Sequence, residues 1–139
     1  PSLEEVRAIA ADTGASTVHF TGYQSDVFPY LAASDAILFP TSHPEVLPMF
    51  LIEAAACGLP AICSDIPGNR DIVDHDASGF LVDGDDPAYV ARVVELVGDP
   101  ALAARMAAHG REIAMQRFDK RKVVRDTIGV YEALLAARS

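Results

Sequence analysis

The stretch PEVLPMFLIEAAACGLPAICSDIPGNRD, residues 44–71, places two glutamates, Glu45 and Glu53, eight positions apart. Pro48 suits the first position of a helix and Gly58 the C′ position just past its end, so Met49–Cys57 reads as a helix. Ala61-Ile62-Cys63 then reads as a strand, and a short helix is expected to start near Asn69. One carboxylate therefore stands in a loop before a helix, and the other lies in that helix's opening turns.

Working outward, Ala36-Ile37-Leu38-Phe39 is an apolar run closed by Pro40, the pattern of a strand buried on both faces. Thr17–Thr21 is β-branched and aromatic and ends at Gly22, and Phe80–Val82 follows Ser78-Gly79, so both read as strands. Ser2-Leu3-Glu4-Glu5 is a capping-box signature opening a helix to about Thr13, where Gly14 stops it. Further helices are expected over Asp26–Ala33, from Pro87 to Val97 and from Pro100 to Arg117. Asp119 caps a last one, with Val123, Val124, Ile128, Tyr131, Leu134 and Leu135 along one side. This alternation predicts an α/β domain over residues 1–139, a Rossmann-like parallel sheet in three α/β/α layers. Ligands of such sheets bind beyond the carboxyl ends of the strands. The loops at those ends are Gly22–Ser25, Pro40–Pro48, Ser64–Asn69 and Asp83–Asp86.

Composition narrows the class. At 139 residues, half of them hydrophobic, the chain is one domain's worth and long enough for a real core. No apolar run approaches the roughly 20 residues of a membrane span, and the first residues lack the layout of a signal peptide. The chain opens on Pro1 rather than Met, which suggests a piece of a longer protein. Net charge is −9, and between Ala8 and Ala91 the only Lys or Arg is Arg70, against twelve Asp or Glu. A nucleic-acid surface needs a basic stripe, so no nucleic-acid partner is expected. Cys57 and Cys63 lack CxxC spacing, which fits a reducing, cytoplasmic setting. The four histidines form no metal pattern, and Asp83, Asp85 and Asp86 read as a turn before the Pro87 helix, so no metal site is predicted.

Eight residues of helix rise about 12 Å, whereas the carboxyl pairs of glycosidases lie about 5 to 9.5 Å apart. A tight acid–base dyad is therefore not the natural reading. One carboxylate at each end of an elongated ligand fits better. Carboxylates accept hydrogen bonds from sugar hydroxyls, and the N–H groups at a helix start favour an anion. Pro48 has no N–H, but Met49 and Phe50 do. Hydroxyl reader, anion-friendly helix end, hydroxyl reader is the layout of a sugar joined to a nucleoside by a pyrophosphate.

The run P-x4-E-x-L-P-M-x3-E-A-x-A-x-G-x-P, residues 40–60, followed by Gly68-Asn69-Arg70-Asp71 and Ser78–Val82, resembles the C-terminal half of retaining GT-B-fold glycosyltransferases, and within them family 4. Glu45 and Glu53 meet that family's Glu-x7-Glu, and Val18-x-Phe20-x-Gly22 and Ala33–Pro40 match its flanks. The resemblance implies that Glu53 binds the ribose hydroxyls of a nucleotide-sugar donor. It implies that Glu45, as the catalytic carboxylate, contacts and orients the transferred hexose. The N–H groups of Leu47, Met49 and Phe50 would face the sugar and the distal phosphate. Gly22 and Tyr23 would lie beside the base, and His43 in the loop expected to touch the sugar. No cofactor is implied, because the NDP-sugar is a substrate. Val46 stands where Gly is usual, Leu47-Pro48 where Phe-Gly is common, and Asp71 where Glu is common.

The resemblance also implies missing parts. The family's phosphate-binding Arg and Lys would lie upstream of Pro1, as would the N-terminal acceptor domain, leaving Arg70 the only basic residue near the site. In the strand order 3-2-1-4-5-6, strands 1 and 2 would be absent from between Thr17–Thr21 and Ala36–Phe39. That gap is expected to be filled by a second copy (a homodimer through open strand edges), by another chain, or by direct pairing of the two flanking strands. The last helix would cross to the other domain, and the intact enzyme would be cytoplasmic, with a membrane-peripheral placement one expectation. By itself the chain is expected not to catalyse transfer. Two rivals stand beside this reading. One is a truncated paralogue acting as a nucleotide-binding or assembly module. The other is a phosphoacceptor signalling domain, which needs an Asp–Lys set at strand ends that this sequence lacks.

Overall fold

The computed structural model describes residues 2–14, 17–41, 43–83 and 87–137. Ser42 and the turn expected over 84–86 lie outside them.

Three parallel strands form the sheet, β1 (Ile37–Phe39), β2 (Ala61–Ser64) and β3 (Gly79–Val82), in the order β1-β2-β3. The register sets Ile37 against Ala61, and Ile62 against both Leu38 and Phe80. Side chains alternate between faces along a strand, and the core divides accordingly. Ile37, Ala61 and Cys63 pack on one face with Leu31, Leu51, Ile72 and Val73. Ile62, Phe80 and Val82 pack on the other with Leu96 and Met106. Both faces of β2 are covered, which is why all four of its residues are buried. The expected three-layer α/β/α arrangement is present. Burial pushes the Cys63 thiol up to about 12, with the Asp65 charge adding to the effect, so it is a packing residue and not a nucleophile at neutral pH.

The helices are α1 (Leu3–Asp12), α2 (Phe28–Ala32), α3 (Met49–Ala56), α4 (Pro67–Arg70), α5 (Ala88–Gly98), α6 (Pro100–Arg117) and α7 (Lys120–Ala136). Both bonds of the capping box at Ser2 and Glu5 are made. Asp99 and Asp119 cap α6 and α7 through their side chains. Helix α2 starts two residues later than expected, because the Asp26 carboxylate accepts the Phe28 N–H at 3.0 Å and holds a turn before it. Helix α4 starts two residues earlier, at Pro67, whose preset φ favours a first helical position.

One expected strand does not form. Thr17–Thr21 is outside any sheet, and its direct pairing with β1 does not occur among the described residues. Strand propensity needs a partner to be realised, and the edge of β1, beside which this segment was expected, is not reached. Phe20 instead lies under the Arg7 guanidinium of α1, 4.6 Å from its ring centroid. Neither α1 nor α7 buries a residue. The apolar stripe of α7, from Val123 to Leu135, stays exposed and is not part of the core. No helix among the described residues is long and apolar enough to cross a membrane.

Candidate functional site

The loops after β1 and β2 and the helices that follow them converge at the carboxyl end of the sheet. Ser64, the buried last residue of β2, ties them together. Its hydroxyl accepts the Thr41 N–H at 2.8 Å, and its carbonyl accepts from the Asn69 amide at 2.7 Å. Thr41 in turn accepts the His43 N–H through its own hydroxyl at 3.2 Å. The segment carrying Glu45 is therefore fixed at its entry by β2. At its far end Pro48 is buried and caps α3.

Gly68 fixes the middle. A Cβ at this position would lie 2.3 Å from the Glu45 carbonyl oxygen and 2.8 Å from that of Val46. Helix α4 thus packs its second residue directly against the backbone of the Glu45 turn. Glu45 itself is half-buried, while Val46 is almost fully exposed.

Helix α3 then carries the other expected residues. Met49 and Phe50 occupy its first turn, where N–H groups have no acceptor within the helix. The Phe50 ring leans on Phe39, 6.2 Å between centroids. Phe50 and Gly22 share a hollow of about 240 Å³ with Thr21, Gln24 and Ile37. Glu53 is exposed and lines an adjoining cleft of about 800 Å³ between α2 and α3, with Asp26, Phe28, Cys57 and Arg111. The two share Val27 and Leu31. Gly22 and Phe50 thus line the smaller hollow and Glu53 the adjoining cleft, while Glu45, Leu47 and Met49 line neither of the two. Tyr23 projects into solvent at 92% exposure, and His43 is exposed.

Comparison with known proteins decides what this arrangement belongs to. Residues 1–99 match the family described as glycosyl transferases group 1. The chain belongs to that family. A lipopolysaccharide core biosynthesis glycosyltransferase, LpsD of Rhizobium meliloti, is 30% identical over 99% of this chain and 40% of its own length. A D-inositol 3-phosphate glycosyltransferase of Acidothermus cellulolyticus is 34% identical over 97% of this chain and 30% of its own. The crystal structure of Anabaena Alr3699/HepE in complex with UDP superposes with a TM-score of 0.83 at 26% identity, over 96% of this chain and 36% of that one. The chain therefore spans two fifths or less of these proteins, and its fold is part of a GT-B glycosyltransferase.

Within this group 1 domain the charge distribution differs from the sequence expectation in two ways. Arg70 is not the only basic residue near the site, because α6 carries Arg111 into the Glu53 cleft. Nothing local in the sequence signals this, since Arg111 lies 58 positions beyond Glu53. Arg70 is meanwhile engaged. Its Nε donates to Asp65 Oδ1 at 2.6 Å and its Nη2 to Oδ2 at 3.1 Å, a two-pronged pair at the exit of β2. Sequence reading also passed over Ser64 and Asn69. The available signal was a small polar residue at the carboxyl end of an otherwise apolar strand, with an amide five residues on.

The hydrogen bonds from Arg70, followed by its charge and that of His75, hold the Asp65 carboxyl below its ordinary value of 3.8. A carboxyl lowered in the folded state contributes stability above its unfolded pKa and loses it as pH falls through the folded one. Arg70→Ala is expected to return the Asp65 titration toward 3.8, read from carboxyl chemical shifts below pH 5. An unchanged midpoint would mean the pair is not formed in solution.

Proposed function

We propose that this chain is the nucleotide-sugar donor-binding portion of a retaining glycosyltransferase, one that transfers a hexose from an NDP-sugar to an acceptor hydroxyl in carbohydrate or cell-envelope biosynthesis. The observation that carries the reading is the setting of Glu53. Glu53 lines a cleft along the middle and C-terminal half of α3, this cleft adjoins the hollow lined by Phe50 of the open first turn, and the Glu45 segment is locked against that helix's approach by Gly68. The UDP bound to the structurally similar Alr3699/HepE supports a nucleoside diphosphate as the ligand.

Each residue then has a task set by its chemistry. Glu53, acceptor-only when ionised, takes the two ribose hydroxyls. The amides of Met49 and Phe50, at the positive end of α3, meet the distal phosphate. The Leu47 N–H and the Glu45 carboxylate hold the hexose, with His43 at its margin, and the Gly22-Tyr23 loop lies beside the base. When the sugar–phosphate bond breaks, charge grows on the phosphate, and fixed amides at a helix start are suited to that charge. An acceptor hydroxyl attacks the same face of the sugar, which retains its configuration. The open edge of β1 falls to the remainder of the donor domain or to a second copy, and the acceptor to another domain.

Calorimetric titration with UDP, GDP and ADP tests this. UDP is expected to bind with a Kd of about 1 mM or tighter, equivalent to at least about 4 kcal/mol. Binding of none of the three would sink the donor reading in favour of an assembly module.

A further inference from the structure

Helix α3 ends in a way that leaves one carbonyl to be claimed from elsewhere. Gly58, at φ +77°, donates its N–H to Ala55 O at 2.9 Å, and Leu59 donates to Ala54 O at 3.0 Å. This is the Schellman pair, which satisfies two of the last carbonyls. The next carbonyl, that of Ala56, accepts from the Arg111 guanidinium. Helix α3 has no basic residue in its own last turn, so the cation that complements the negative end of its dipole comes from α6. Neighbouring Gly110 is buried where α6 packs on Ser78 and Ala55, a Cβ there lying at ordinary contact distance, 3.6 Å from Ser78 Cβ and 4.0 Å from that of Ala55. Arg111 and Glu53 line the same cleft.

We infer that Arg111 is a positioning residue for α3. It clamps the C-terminal end of the helix whose middle carries Glu53 and whose start presents Met49 and Phe50. An eight-residue helix is only about 12 Å long, so a change in how its last turn is held is felt at Glu53 and at its start. Exposed Arg111 does not touch the ribose in this scheme. It holds the C-terminal end of α3 on α6, while the buried Leu51, Ile52, Ala54 and Ala55 set which face points inward, and together they place Glu53 at the shared cleft. The functional consequence rests on the donor-site reading above, but the clamp itself does not.

Two measurements on the chain as it stands keep these apart. The first is amide hydrogen exchange in Arg111→Ala, Arg111→Met and Arg111→Lys, compared at a temperature where circular dichroism shows all of them folded. Exchange at Cys57, Gly58 and Leu59, whose N–H groups close the end of α3, is expected to rise about tenfold in the Ala and Met variants. It should return to within about threefold of the parent in the Lys variant. Arg117→Ala removes contacts to Asp71 and Asp74 on the α4 side and should leave those three amides unchanged. Parent-like exchange in Arg111→Ala overturns the clamp. The second measurement is UDP titration, in which Arg111→Ala is expected to bind about tenfold more weakly and Arg111→Lys to recover most of the loss. Equal affinity in parent and Arg111→Ala overturns the positioning role, even where exchange has changed. A parent that binds no UDP sinks the donor reading, and exchange alone then decides the clamp.

Discussion

Gly68→Ala is expected to destabilise the domain by about 2 kcal/mol and to weaken UDP binding at least tenfold. The sign is what makes it informative. Gly68 lies inside α4, and by helix propensity alone alanine should be better than glycine there by about 1 kcal/mol. Against this stands the approach of the Glu45 backbone. The new methyl carbon would sit 2.3 Å from the Glu45 carbonyl oxygen and 2.8 Å from that of Val46, both main-chain atoms that no rotamer change can move. Overpacking a closed site costs about 1–3 kcal/mol, and the upper end applies where backbone must shift. The net effect is therefore a loss. The displaced part is the turn that holds Glu45 against the start of α3, so binding should suffer along with stability. Urea denaturation with a parallel UDP titration reads both quantities. A variant more stable than the parent would mean that α4 and the Glu45 turn do not touch in solution.

How much of this was legible in the sequence follows from the range over which each determinant acts. Helix α3 was readable because Pro48 and Gly58 bracket it, and both act within a residue or two of themselves. The capping box of α1 and the Asp119 cap of α7 are equally local, as is the Asp99 cap of α6, which the sequence reading left to Pro100. Strands β1 and β2 were readable as apolar runs cut by proline or polar residues, but burial on both faces holds for β2 alone: β1 is an edge strand whose Leu38 is 52% exposed, because no further strand or helix covers that side of it among the described residues. Thr17–Thr21 shows the limit. Its composition suits a strand, but pairing depends on an edge that this stretch of chain does not bring to it, and Phe20 goes to Arg7 instead. Arg111 shows a second limit. Its place beside Glu53 depends on how α6 packs against α3, a long-range contact that brings Arg111 to the Ala56 carbonyl across 55 positions of sequence. The Arg70–Asp65 pair shows a third. A sequence scan counts Arg70 as a cation available to phosphate, whereas the turn into α4 folds it back on a carboxylate five residues earlier.

Glu53→Ala is expected to weaken UDP binding by about 30- to 100-fold while leaving stability within about 0.5 kcal/mol of the parent. The affinity estimate comes from losing hydrogen bonds between hydroxyls and an ionised acceptor, about 2–3 kcal/mol net for the pair. The stability estimate comes from the side chain's surroundings. Glu53 is exposed, and no ion pair is recorded for its carboxylate among the described residues. Its carbonyl bond from the Cys57 N–H at 3.0 Å belongs to the backbone and survives the change, and alanine is at least as good a helix former. This separates it from Gly68→Ala, which should lower both quantities through the Glu45 turn. Glu53→Gln refines the point, since an amide keeps one acceptor oxygen but loses the charge and should fall between parent and alanine. Should Glu53→Ala bind UDP as the parent does, the ribose is held elsewhere and the assignment of α3 as the donor helix fails. Should it lose affinity only together with stability, Glu53 is holding the fold, and its carboxylate is not available to read a ligand.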